Sequence, residues 1–159
     1  WMNKEYIKRL DEKKFLEYVI KYLPDTTKEL PGYSEEMLVR LLQTIKDRIS
    51  KFADVAEMAT AGELNYFFEK PKCSLDLLKT TEFVPETISL LEQIDEKDFT
   101  SDNVKQKIWD FATLNGRGKV LWPMRAALSG IEKSPDPFTL AEIFGKDETI
   151  LRLKYAASL

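Results

Sequence analysis

Apolar side chains recur at three- and four-residue steps along most of the chain, which is the spacing of amphipathic helices. Phe15, Leu16, Val19, Ile20 and Leu23 fall on one face, with Asp11 suited to the N-cap and Pro24 placed to stop the helix. Ser34 caps a second helix with Glu35 and Glu36 in its first turn. Its apolar positions, Met37, Leu38, Leu41, Leu42, Ile45, Ile49 and Phe52, predict a helix of about 19 residues. A third helix covers residues 55–65, with Val55, Met58 and Ala59 inward and Gly62 near its end. Residues 66–72 form an irregular aromatic stretch closed by Pro71, and a short helix at 75–78 follows.

The second half keeps the same pattern. Residues 81–94 read as a helix with Pro85 in its first turn. Thr100, Ser101 and Asp102 begin another, which runs through Val104, Ile108, Phe111 and Ala112 to a stop at Asn115-Gly116. A turn at residues 116–118 leads through 119–122 to a short helix, 123–128, with Pro123 in its first turn and Ser129-Gly130 at its end. Residues 131–137 read as a loop, and two last helices, 138–144 and 146–157, flank Gly145. No alternating strand pattern and no internal repeat stands out, so the fold class is all-α. Two subdomains are expected, residues 1–75 and 76–159. Their junction is packed rather than a flexible linker, because no Gly/Ser-rich segment separates them.

Composition narrows the chemistry. The chain has 159 residues, enough to hide roughly 70% of the unfolded surface. With 43% hydrophobic and 32% charged residues it is a folding sequence rather than a disordered one. No apolar run approaches the roughly 18–20 residues of a membrane span, and the charged first residues do not suit a signal peptide. Histidine is absent, which excludes Ser-His-Asp and Cys-His catalysis and His-containing zinc sites within the chain. Cys73 is the only cysteine, an ordinary thiol in a chain expected in a reducing compartment such as the cytoplasm. Neither a Walker loop nor a GxGxxG motif is present, and no metal-ligand spacing is found. The net charge of −3 does not itself point to nucleic acid. Its distribution is uneven: residues 1–51 carry 11 basic and 9 acidic side chains, 52–101 carry 4 and 11, and 102–159 carry 9 and 7. Mildly basic ends around an acidic middle permit local anion sites.

Two segments can bind. Gly116-Arg117-Gly118-Lys119 is either a structural turn or a small anion contact through its backbone amides. Residues 117–138 mix arginine, aromatic rings, small hydroxyls and rigid prolines, the materials for reading unstacked bases. Each also has a structural reading: Trp122 and Phe138 as core, Arg125 as a surface ion pair.

The stretch Gly118-Lys119-Val120-Leu121-Trp122-Pro123-Met124-Arg125-Ala126-Ala127-Leu128-Ser129-Gly130, followed by Ser134-Pro135-Asp136-Pro137-Phe138 and then Glu142-Ile143-Phe144-Gly145-Lys146-Asp147-Glu148, resembles the end of bacterial glutamyl-tRNA synthetases. The opening Trp1-Met2-Asn3-Lys4-Glu5-Tyr6-Ile7 is similar to the segment that follows their catalytic core. The resemblance spans essentially the whole chain; the Trp-Pro-Met-Arg-Ala-Ala-Leu-Ser-Gly motif is its specific part. It implies two helical anticodon-binding subdomains of a class I synthetase. It further implies a chain that binds glutamate tRNA and that, without the catalytic domain, is inactive alone. ATP and Mg belong to that missing domain, so no cofactor or metal is expected here, and a monomer with no membrane partner is. Arg125 then matches the arginine that contacts anticodon bases. Ser134 stands where a small hydroxyl residue contacts the third base, while Pro135 and Phe138 shape that loop; Pro137 stands at a variable position. Lys46-Asp47-Arg48 aligns with a family segment whose arginine governs acceptance of cytosine at the first anticodon position, and Arg48 resembles the discriminating type. A register one turn away makes Arg40 or Lys51 the candidate instead. Trp122 is read as ordering the Arg125 helix. The competing function is a helical protein-interaction domain without RNA binding.

Overall fold

The computed structural model describes residues 4–159. Among the described residues there are helices and no strand, in agreement with the all-α reading. The chain divides into two compact units between Lys70 and Pro71, against the 75/76 division expected from sequence. The reason lies in unit 2, where the Lys72 backbone runs beside Gly130 and Cys73 is buried.

Unit 1 contains α1 (Lys4–Arg9), α2 (Glu12–Tyr22), α3 (Asp25–Lys28), α4 (Glu35–Arg48), α5 (Ala53–Thr60) and a 3-10 turn, Asn65–Phe68. Trp1, Met2 and Asn3 of the opening motif lie outside the described residues; Ile7 is fully buried on α1. Asp11 caps α2 by accepting from the Lys14 amide at 2.7 Å. Leu23 is extended ahead of Pro24, as the proline ring requires, and the helix stops there. Ser34 caps α4 through the Met37 amide at 3.1 Å. The core of the unit gathers Phe15, Val19, Leu38, Leu41, Ile45, Ile49, Val55, Leu64 and Phe68.

One boundary differs from the sequence reading. The predicted 19-residue helix ends at Arg48, and Ile49 is extended. The Asp54 carboxylate accepts from the amides of Ser50, at 2.8 Å, and Lys51, at 3.3 Å, giving those groups partners outside any helix. Ile49 and Phe52 remain buried, so the apolar period continues across a backbone that is no longer helical. Phe52 stacks on Tyr18 at 4.7 Å and on Tyr22 at 5.8 Å. The irregular aromatic stretch is partly ordered as the 3-10 turn, with Tyr66, Phe67 and Phe68 all buried.

Unit 2 contains α6 (Leu75–Leu78), α7 (Val84–Glu92), a 3-10 turn Glu96–Asp98, α8 (Ser101–Asn115), α9 (Arg117–Ser129) and α10 (Pro137–Ala157). Thr100 caps α8 through the Asn103 amide at 3.2 Å. Helix α10 packs on α7, α8 and α9, and α6 packs on α9. Leu78, Leu91, Val104, Ile108, Ala112, Met124, Leu128, Leu140, Ala141, Leu153 and Ala156 fill the interior. Gly145, at φ 82° and ψ 171°, breaks α10 where the sequence separates two helices.

The expected turn at 116–118 and short helix from Pro123 are corrected. Gly116, at φ 105° and ψ 114°, makes the whole reversal alone, a backbone state open to glycine. Helix α9 then starts at Arg117 and passes through Pro123, so Gly116-Arg117-Gly118-Lys119 is its first turn. The rung lost at Pro123 is the one to Lys119, an exposed residue, while Pro123 itself is buried in the unit. None of the described helices is long and apolar enough to cross a membrane.

Candidate functional site

In unit 2 the sequence-predicted residues fall on the last turns of α9, the loop after it and the first turn of α10. Trp122 is half-buried, and its Nε1 donates to the Leu77 carbonyl at 2.7 Å, tying α9 to α6. The Arg125 guanidinium carbon sits 4.7 Å from the centre of the same indole. Arg125 Nη2 donates to the Glu132 carbonyl at 3.0 Å, so the loop is pinned to the helix. The surface ion-pair reading does not describe this seat: the guanidinium rests on a ring and bonds a backbone carbonyl. A guanidinium stacked in this way keeps further N–H donors in its plane.

The loop is ordered by its own polar groups. The Ser129 hydroxyl lies 3.1 Å from the Arg125 carbonyl and 3.0 Å from that of Ile131, and it accepts from the Ile131 amide at 3.2 Å. The Ser134 hydroxyl donates to the Pro135 carbonyl at 3.1 Å; both residues are half-buried. Asp136 caps α10, accepting from the amides of Phe138, at 3.0 Å, and Thr139, at 2.9 Å. Pro137 is the first residue of α10, a position that needs no N–H. Phe138 is buried with its ring 6.4 Å from that of Trp109, so it supports the loop from below and offers no open face.

In unit 1, Arg48 closes α4 and is held by Glu63, Nη2 to Oε1 at 3.1 Å, with the arginine side chain 45% exposed. An exposed pair of this kind is worth at most about 1 kcal/mol, so its guanidinium is easily released to another anion. Arg40, the first alternative, lies 3.9 Å from Glu36, and Lys51, the second, is exposed in the turn before α5. Lys46 points elsewhere: its Nζ donates to the Leu10 carbonyl at 3.4 Å and lies 5.0 Å from the Phe15 ring centre.

Three features escape the sequence reading. Lys79, at φ 68° after α6, places its Nζ 4.4 Å from the Trp122 ring centre, so two cations share one indole. Nothing local in Leu78-Lys79-Thr80 announces this. Arg152 is 2% exposed; its Nη1 donates to the Leu128 carbonyl at 3.0 Å and its Nε to Glu148 at 2.9 Å. The only signal available was the Glu148–Arg152 spacing of four. Third, Lys105 and Arg117 lie over the Trp109 ring, at 5.1 and 4.5 Å from its centre. Burial pushes the Cys73 thiol up from its ordinary value and keeps it protonated, which does not suit a nucleophile.

Cations seated on aromatic rings beside a loop of hydroxyl and proline residues make a helical recognition module, suited to ligands that are both anionic and aromatic. The chain belongs to the family described as anticodon binding domain, whose profile matches residues 14–157. It is homologous to glutamate–tRNA ligases. That of Clostridium botulinum is 31% identical over 173 residues, which take in 100% of this chain and 33% of that protein. That of Clostridium acetobutylicum is 33% identical over 169 residues, covering 97% of this chain and 32% of that protein. Among solved structures, the glutamate tRNA ligase from Elizabethkingia meningosepticum superposes with a TM-score of 0.72 at 25% identity, over 98% of this chain and 31% of that one. The chain thus spans about a third of the length of the curated relatives it matches.

Proposed function

We propose that this chain is the anticodon-binding part of a glutamate–tRNA ligase and reads the anticodon loop of glutamate tRNA. The family match carries the reading, because residues 14–157 take in nearly all of both units. An anticodon loop is single-stranded, so its bases can be splayed and read on their edges. Arg125, stacked on Trp122 with in-plane donors to spare, suits a base edge in unit 2. Ser134 and Pro135 line the adjoining loop, with Phe138 as its support. Arg48, loosely held by Glu63, is the reader in unit 1 and sets the choice between glutamate and glutamine tRNA. ATP and Mg act in the remainder of the ligase on this reading, and the chain alone attaches no amino acid. It acts as a monomer in the cytoplasm.

The test is a titration with glutamate anticodon stem-loops at fixed low salt, comparing the wild type with Arg48→Ala and Arg125→Ala. Base-dependent binding is expected, and each variant should lose roughly 1–3 kcal/mol of it, by analogy with bidentate base readout. Equal affinity for cognate and base-substituted loops in the wild type would refute the proposal.

A further inference from the structure

The Trp109 ring and its two cations are not used by the anticodon-base reading. Trp109 is on α8 and half-buried; Lys105, one turn before it, and Arg117, at the start of α9, are exposed. Their charged ends stand 5.1 and 4.5 Å from the ring centre. Neither cation has an ion-pair partner among the described residues. Two like charges are therefore held close to one ring with no carboxylate within ion-pair distance of either among the described residues. A ring face reduces their freedom and their hydration while leaving their N–H groups directed outward.

The patch and the anticodon loop site share a buried support. The ring centres of Trp109 and Phe138 lie 6.4 Å apart with their planes tilted by 59°, and Phe138 supports the segment that carries Ser134 and Pro135. Arg117 and Arg125 share α9 and are eight residues apart, about 12 Å along the axis, the rise of three or four stacked nucleotides at roughly 3.4 Å each. The two side chains leave α9 about 80° apart around its axis, so a strand whose base meets Arg125 reaches Arg117 by curving around the helix.

We infer that Lys105 and Arg117, seated on Trp109, form a second contact that holds the RNA backbone next to the anticodon without reading sequence. This inference rests on the anticodon reading. The contact supplies affinity and salt dependence, whereas Arg125 supplies discrimination.

The experiment titrates glutamate anticodon stem-loops, with native and with substituted anticodon bases, over a series of salt concentrations. Lys105→Gln/Arg117→Gln should weaken every loop by a similar factor, about tenfold at low salt, and lower the slope of log K against log salt by about 1.4, two single-strand phosphates at roughly 0.7 each. The charge-keeping pair Lys105→Arg/Arg117→Lys should retain both affinity and slope. Arg125→Ala should instead erase the difference between loops and change the slope less. An unchanged slope in Lys105→Gln/Arg117→Gln, or equal weakening by the charge-keeping pair, overturns the backbone contact while leaving the anticodon reading intact. A lowered melting temperature without a change of slope does the same, since it makes the patch purely structural. If the wild type shows no base-dependent binding, the anticodon reading fails and this inference fails with it.

Discussion

Replacing Arg152 by methionine should destabilise unit 2 by about 3 kcal/mol. Arg152 is 2% exposed, and methionine keeps much of its length while removing every donor. The Leu128 carbonyl, which accepts from Arg152 Nη1 at 3.0 Å, then has no donor; an orphaned buried carbonyl costs about 1–3 kcal/mol. The stacking of the guanidinium on Phe144, 4.2 Å from the ring centre, adds up to about 2 kcal/mol in a desolvated site. Loss of the Glu148 contact adds little, because that side chain is 38% exposed and its charge returns to water. Removing a buried positive charge recovers part of the sum, which is why the net lies below the total. For a unit of this size the change should lower Tm by more than about 10 °C. Urea unfolding followed by tryptophan fluorescence is the assay, since Trp109 and Trp122 both lie in unit 2. Glu148→Gln is the control and should cost less than about 1 kcal/mol. A cost below about 0.5 kcal/mol for Arg152→Met, or a Glu148→Gln cost equal to it, would refute the assignment of the energy to the Leu128 carbonyl and the Phe144 ring.

In unit 1, Gly32→Ala should lower the urea midpoint by the equivalent of about 1–3 kcal/mol, because a Cβ there would meet the Phe68 carbonyl oxygen at 2.5 Å and that oxygen also accepts from the Gly32 amide at 2.9 Å; an unchanged midpoint would show that the turn shifts freely. Stability should also fall at alkaline pH. Cys73 is raised by burial from an ordinary 9.0, and Tyr33 from 10.0 by burial and by the charge of Glu35. Both are neutral when protonated and both have folded values above the unfolded ones, so their contribution is complete below pH 9 and is lost as pH rises through the folded values. Urea midpoints should therefore hold from pH 7 to about 8.5 and decline above 9, less steeply in Cys73→Ser; a midpoint that rises between pH 9 and 10 contradicts the sign.

How far the sequence reaches depends on whether the deciding interaction is local. Asp11, Ser34 and Thr100 were legible as helix starts because a cap acts on an amide three residues ahead. Pro24 and Gly145 were legible as breaks for the same reason. The end of α4 was not, because Ile49 and Phe52 continue the apolar period although Asp54 has taken the amides that would extend the helix. Periodicity records which side chains are buried, and burial survives a change of backbone. Pro123 misled in the opposite direction. A proline is usually read as a first-turn residue, yet packing of α9 against α6, α8 and α10 outweighs one missing rung.

The candidate site follows the same division. The resemblance named Arg125, Ser134, Pro135 and Phe138 as candidates, but the seats of the rings around them come from partners distant in sequence: Leu77 for Trp122, Trp109 for Phe138. Arginine is the clearest case, because one side chain has three different settings here. Arg48 is paired at the surface, Arg125 is stacked and bonded to a backbone carbonyl, and Arg152 is buried as part of the framework. Local sequence separates only Arg152, which has Glu148 four residues before it; Arg48 and Arg125 have no acidic residue at three- or four-residue spacing. The full separation comes from what lies opposite. Arg152 faces the carbonyl end of α9 and Phe144, both inside unit 2, and is consumed by the fold. Arg125 faces Trp122 and a loop carbonyl at the edge of the same helix, which fixes the guanidinium and leaves it accessible. An arginine that the fold positions without fully satisfying is one available for a ligand, and Arg125 and Arg117 meet that condition in unit 2 whereas Arg152 does not.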